Sequence, residues 1–195
     1  MIKALLAVCL LALSLVACDK VDTKPLSFHS TDVTGLEYAK DFALLDHTGK
    51  PRTLADFKGK VVVVFFGYTQ CPDVCPTTMA EMAAVRKALG AQADQLQVLF
   101  ITLDPERDKQ ELLAQYVPAF DPSFIGLHGD KAATDKVAKE FKVFYAKQPG
   151  KTPDSYTIDH TAATYVFDRK GKIRLFVRNG QPTQDVVDDI KQLLK

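Results

Sequence analysis

The sequence has no excess of charge of either sign. Its 25 lysines and arginines face 24 aspartates and glutamates, a net charge of +1. A nucleic-acid partner favours a basic stripe, so a balanced surface argues against one. Charge runs, low-complexity tracts and internal repeats are also missing, which leaves an ordinary globular domain. Cysteine is scarce: Cys9, Cys18, Cys71 and Cys75 are the whole set. A disulfide-stapled scaffold packs more of them into a smaller chain. No second cysteine pair completes the four-ligand shell that structural zinc takes. The apolar run Ala4–Val16 is short for a membrane span.

That run has another reading. Lys3 gives a small basic start, and the run ends in Leu15-Val16-Ala17-Cys18. The pattern is a secretory signal ending in what resembles a bacterial lipobox. We expect residues 1–17 to be the signal peptide, Cys18 to carry lipid, residues 18–34 to form a tether and residues 35–195 to form the domain. Asp19 resembles the inner-membrane retention signal of enteric-type bacteria. The expected location is therefore extracytoplasmic, lipid-anchored to the inner membrane and facing the periplasm. Cys71 and Cys75 then remain as the working cysteines in an oxidising compartment.

The chain reads as one α/β domain with a mixed central sheet flanked by helices. Val61–Phe66 is a continuous apolar run, the pattern of a strand buried on both faces, and Gln97–Leu103 reads as a second buried strand. Phe42–Leu45 and Arg52–Leu54 predict short strands around an Asp46–Gly49 turn. Apolar residues at three- and four-residue steps predict helices over Thr77–Leu89, Asp108–Tyr116, Asp130–Phe141 and Pro182–Leu194. Asp108 is a possible cap for the second of these. Thr164–Phe167 and Ile173–Val177 flank the turn Asp168–Gly171, a hairpin signal.

The chemistry centres on Cys71-Pro-Asp-Val-Cys75-Pro76, directly after a buried strand. Ligand sites of open α/β sheets lie at such strand ends. Pro76 lacks an N–H and fits only the first turn of a helix, so Cys75 sits at a helix N-terminus. The helix dipole there favours thiolate. Four-residue spacing lets both sulfurs share a metal ion or close a disulfide. Two thiolates with one imidazole suit copper, particularly Cu(I). Of the four histidines, His29 falls in the tether, His47 in a surface turn and His128 in a strand-to-helix loop. His160, just before a strand, reads from its surroundings alone as structural or surface more readily than as a ligand.

Phe65-Phe-Gly-Tyr-Thr-Gln-Cys-Pro-Asp-Val-Cys-Pro76 resembles the signature of the Sco/SenC family. Thr102-Leu-Asp-Pro-Glu-Arg-Asp108, Asp159-His160 and Tyr165-Val-Phe-Asp168 resemble further blocks of it. The resemblance implies a thioredoxin-like fold and one copper ion, Cu(I) or Cu(II), held by Cys71, Cys75 and His160. It implies a role in assembling the copper centre of cytochrome c oxidase, by copper delivery or by reduction of target cysteines. The implied partner is the copper-bearing oxidase subunit or another copper or thiol protein. Gln70 departs from the family, where His often precedes the first cysteine. The alternative is a thiol–disulfide oxidoreductase using Cys71 and Cys75. A peroxidase of the peroxiredoxin type and a purely structural disulfide rank below it. Asp104 and Asp108 read as capping or loop residues. Phe65 and Phe66 read first as core, and Tyr68 could join them in shielding copper from water.

Overall fold

The computed structural model describes residues 26–152 and 155–195. The expected signal peptide and the lipidation site Cys18 lie outside the described residues. Strands β1 (Thr31–Asp32), β2 (Ala43–Asp46), β3 (Pro51–Thr53), β4 (Val61–Gly67), β5 (Leu96–Thr102), β6 (Ile125–His128), β9 (Ala163–Phe167) and β10 (Ile173–Arg178) form one sheet. Its order is β1-β10-β9-β4-β5-β6-β2-β3. The β4, β5 and β6 strands are parallel, while β9 joins β4 antiparallel. Strands β7 (Tyr145–Pro149) and β8 (Tyr156–His160) form a separate hairpin, an arm outside the main sheet.

Among the described residues, four α-helices cover the sheet: α1 (Val74–Ala88), α2 (Gln110–Tyr116), α3 (Lys131–Glu140) and α4 (Thr183–Leu193). Every residue of β4 and of β5 is buried, as the sequence predicts for both strands, Gln97 and Thr102 of β5 included. Side chains alternate along a strand, and the two cores follow that alternation. Val61, Val63 and Phe65 pack with Met79, Met82 and Val85 of α1, Leu113 of α2, and Val186 and Ile190 of α4. Val62, Val64 and Phe66 pack on the other face with Val137 and Ala138 of α3 and with Phe141. Each large side chain so buried stabilises the fold by about 1.5–3 kcal/mol before entropy is charged.

Two expectations are corrected. The folded unit does not begin at Gly35. Thr31 and Asp32 pair with Phe176 and Leu175 of β10. The backbone N–H groups of His29 and Ser30 each donate to the buried carboxylate of Asp189 on α4, at 2.8 Å. The second half of the expected tether is therefore part of the domain. Asp108 does not cap α2 either; Lys109 occupies that position and Asp108 turns inward. Other elements fall close to expectation. The hairpin turn holds Gly171 at φ 75°, with Asp168 accepting from Lys170 N–H and Lys172 N–H.

Candidate metal centre

The β4 strand ends at Gly67, and α1 starts seven residues on, at Val74. Cys71 lies in the connecting loop, half-buried, and Cys75 lies in the first turn of α1, fully buried. Both thiols are free. The Cys75 N–H donates to Cys71 Sγ at 3.5 Å, which brings the first sulfur over the helix N-terminus. His160, the last residue of β8, places Nε2 3.5 Å from Cys75 Sγ. The two sulfurs and a nitrogen of His160 all lie within 4.8 Å of one another. The structure thus assembles all three sequence-predicted site residues, 85 positions separating Cys75 from His160.

The imidazole is oriented by its other nitrogen. His160 Nδ1 lies 3.1 Å from the carbonyl oxygen of Thr161. A carbonyl only accepts, so Nδ1 carries the proton and Nε2 presents a lone pair to the sulfurs. Burial lowers the His160 pKa, which keeps the ring neutral and able to donate that pair. The rings of Phe65 and Tyr68 meet His160 edge-on at 6.2 and 6.1 Å. Tyr68 is buried, so these two aromatics wall the site, as well as filling core.

The thiolate expectation does not hold for Cys75. Burial pushes its thiol well up, and the neighbouring Cys71 adds to the rise. Desolvation of a charge outweighs the helix dipole at a buried position. The Cys75 S–H instead faces the bare Nε2 of His160. A metal ion binding here would displace that proton.

Asp104 and Asp108 organise the loops behind the site. Asp108 accepts from Thr69 N–H at 3.0 Å, from the Thr69 hydroxyl at 2.6 Å and from the Thr102 hydroxyl at 2.6 Å. It therefore ties the cysteine loop to the end of β5. Burial raises the Asp108 pKa against those hydrogen bonds. Asp104 accepts from the Tyr156 hydroxyl at 2.8 Å and from Arg107 Nε. Sequence reasoning assigned both aspartates to capping and loop hydrogen bonds but missed Arg107 and Tyr156, which lie 49 residues apart along the chain. His29 and His128 are away from the cysteines. His47 is more than a surface turn: its Nδ1 accepts from Gly126 N–H at 2.9 Å.

Fold and site together define a thioredoxin-like α/β domain with a soft Cys-Cys-His metal-binding constellation. A family model described as SCO1/SenC matches residues 31–195. The mitochondrial SCO2 homolog of Mus musculus is 35% identical over 154 residues, 78% of this chain and 60% of that protein. This chain thus spans less than two thirds of the mitochondrial SCO2 relatives it matches. Copper-bound ScoI of Bradyrhizobium japonicum is 41% identical, with TM-score 0.73 over 79% of this chain and 98% of that one. Apo Sco1 of Thermus thermophilus is 39% identical, with TM-score 0.77 over 86% of this chain and 98% of that one. The chain belongs to the SCO1/SenC family.

Proposed function

We propose that the chain is a copper-binding protein that serves assembly of the copper centre of cytochrome c oxidase, with Cys71, Cys75 and His160 as the copper ligands. The observation that carries this reading is the convergence of two sulfurs and one imidazole nitrogen within 4.8 Å. Two soft donors suit Cu(I), and the imidazole adds the borderline donor that Cu(II) takes. Copper is cargo in this reading: it is received at the site and passed to the thiols of a partner. The lipobox-like segment supports a lipid anchor at Cys18 that would hold the domain at the periplasmic face of the inner membrane. No helix among the described residues is long and apolar enough to cross a membrane.

The test is a titration of the full chain with Cu(I) and Cu(II). We expect one equivalent bound per chain, loss of both in Cys71→Ser, and loss of Cu(II) in His160→Ala. Parent-like Cu(II) binding by His160→Ala would refute the three-ligand reading.

A second reading, reduction of target disulfides, is favoured by the unequal exposure of the two cysteines. Cys71, the more exposed, attacks a target disulfide as thiolate and releases one target thiolate. Cys75 then attacks Cys71 Sγ in the mixed disulfide and releases the second. Two electrons pass to the target, two protons accompany them, and Cys71–Cys75 becomes the disulfide. Here Cys71→Ser abolishes exchange, whereas His160→Ala leaves it unchanged.

A further inference from the structure

The histidine ligand stands on an arm whose strands pair with each other and not with the main sheet. Along β8, Tyr156, Ile158 and His160 face inward, while Thr157 and Asp159 are exposed. Ile158 joins the core cluster that contains Cys75. At about 3.3 Å per residue, Tyr156 lies about 13 Å along the strand from His160. Something must fix that far end if Nε2 is to meet the sulfurs reproducibly.

Arg107 is placed to do so. Its guanidinium stacks 3.6 Å from the centroid of the Tyr156 ring. Its Nη1 donates to the Tyr156 carbonyl at 3.0 Å and to Gln70 Oε1 at 3.1 Å. Its Nε donates to Asp104, and the Tyr156 hydroxyl donates to the other oxygen of the same carboxylate. Asp104 is 1% exposed, so this acceptor is rigidly held and poorly screened. One side chain therefore touches the histidine strand and the residue preceding Cys71. The Lys147–Glu106 pair joins the same arm to the loop that carries Arg107, but both partners are exposed and it adds little.

We propose that Arg107 is a positioning residue for the metal site, clamping β8 to the cysteine loop so that His160 is delivered to Cys75. This rests on the copper reading for its chemistry, though not for its mechanics. Two thiolates alone satisfy Cu(I), so losing the clamp penalises Cu(II) selectively. Lysine offers neither the planar fork nor the stack, so Arg107→Lys is disruptive despite keeping the charge. Tyr156→Phe keeps the ring and removes only the bond to Asp104.

The test compares the full-length parent with Arg107→Lys and Tyr156→Phe in two measurements. The first is amide hydrogen exchange without metal. We expect faster exchange in Tyr145–His160 for both variants, larger in Arg107→Lys, with β4 and β5 unchanged. The second is copper titration with the Cu(II)–thiolate absorption band as readout. We expect Cu(II) affinity about tenfold lower and a shifted band in Arg107→Lys, with Cu(I) affinity retained. Parent-like arm exchange together with a parent-like Cu(II) band in Arg107→Lys overturns the proposal. A parent that binds no copper refutes the copper reading, while the exchange data still decide whether Arg107 clamps the arm.

Discussion

A β-carbon placed on Gly67 would stand 2.8 Å from Cys75 Sγ and 2.9 Å from Phe100 Cε2. The missing side chain at the end of β4 is thus what lets the second cysteine tuck under the strand. Gly67→Ala should push the sulfur away from His160. We expect a stability loss of about 1–3 kcal/mol and copper affinity lower by about tenfold, or about 1.4 kcal/mol. Urea unfolding and copper titration check the two separately. A variant that binds copper as the parent does would show that the sulfur has room to shift.

The two cysteines should differ sharply toward alkylating agents. Cys71 is half-buried, whereas Cys75 is 0% exposed and its thiol is pushed up by burial. Only thiolate reacts at speed. In metal-free protein near pH 8, iodoacetamide should modify Cys71 first, with Cys75 protected until the domain unfolds. Peptide mass mapping over a time course reads the order, and early modification of Cys75 would contradict the burial argument.

Asp189 should hold the N-terminal segment in place. Its two carboxylate oxygens each accept one backbone N–H, from His29 and Ser30. Asp189→Ala leaves both donors without a partner, and the buried Ser30 N–H alone costs about 1–3 kcal/mol. Residues 28–34 should then become an early site of limited proteolysis. Asp189→Asn, keeping one acceptor oxygen, should fall between. Equal cleavage of parent and both variants would show that β1 alone holds the segment.

Acid sensitivity should trace in part to Asp46. Burial alone would raise its pKa, but hydrogen bonds from Thr48 and Arg52, with the N–H groups of Thr48 and Lys50, hold it well below the usual carboxylate range. A folded-state pKa below the unfolded one gives stability that is full above the unfolded value, about 3.9, and lost as pH falls. Asp46→Asn should therefore destabilise at pH 7 and show a shallower decline of stability from pH 5 downward. Urea midpoints against pH decide this; parallel parent and variant curves would remove Asp46 from the account.

The sequence reveals those elements whose pattern is strong. The runs in β4 and β5, the hairpin turn at Asp168–Gly171 and the stripe of α4 are legible because burial and turn geometry act locally. The β1 strand is two exposed residues and has no pattern to read. Gly126 interrupts β6, and the polar, half-exposed β7 and β8 look like loop. The cysteine pair is legible from the scarcity of cysteine, its spacing and Pro76. His160 is not: its role depends on an arm folding back across 85 positions, and only the family blocks point to it. The thiolate expectation failed because helix position is local information and burial is not.

The packing of the first described residues against α4 has one more consequence. Ser27 N–H donates to Gln192 Oε1 at 3.3 Å, and Gln192 Nε2 donates back to the Ser27 carbonyl at 2.7 Å. The chain therefore enters the domain beside the last turn of α4, the helix that closes it. Domains with neighbouring ends tolerate circular permutation. Joining Lys195 to Ser27 through a short glycine-rich link, with new ends opened at the exposed turn near Gly59, would leave the three candidate ligands and both cores as they are. In such a rearranged chain the route of the polypeptide changes while the architecture does not.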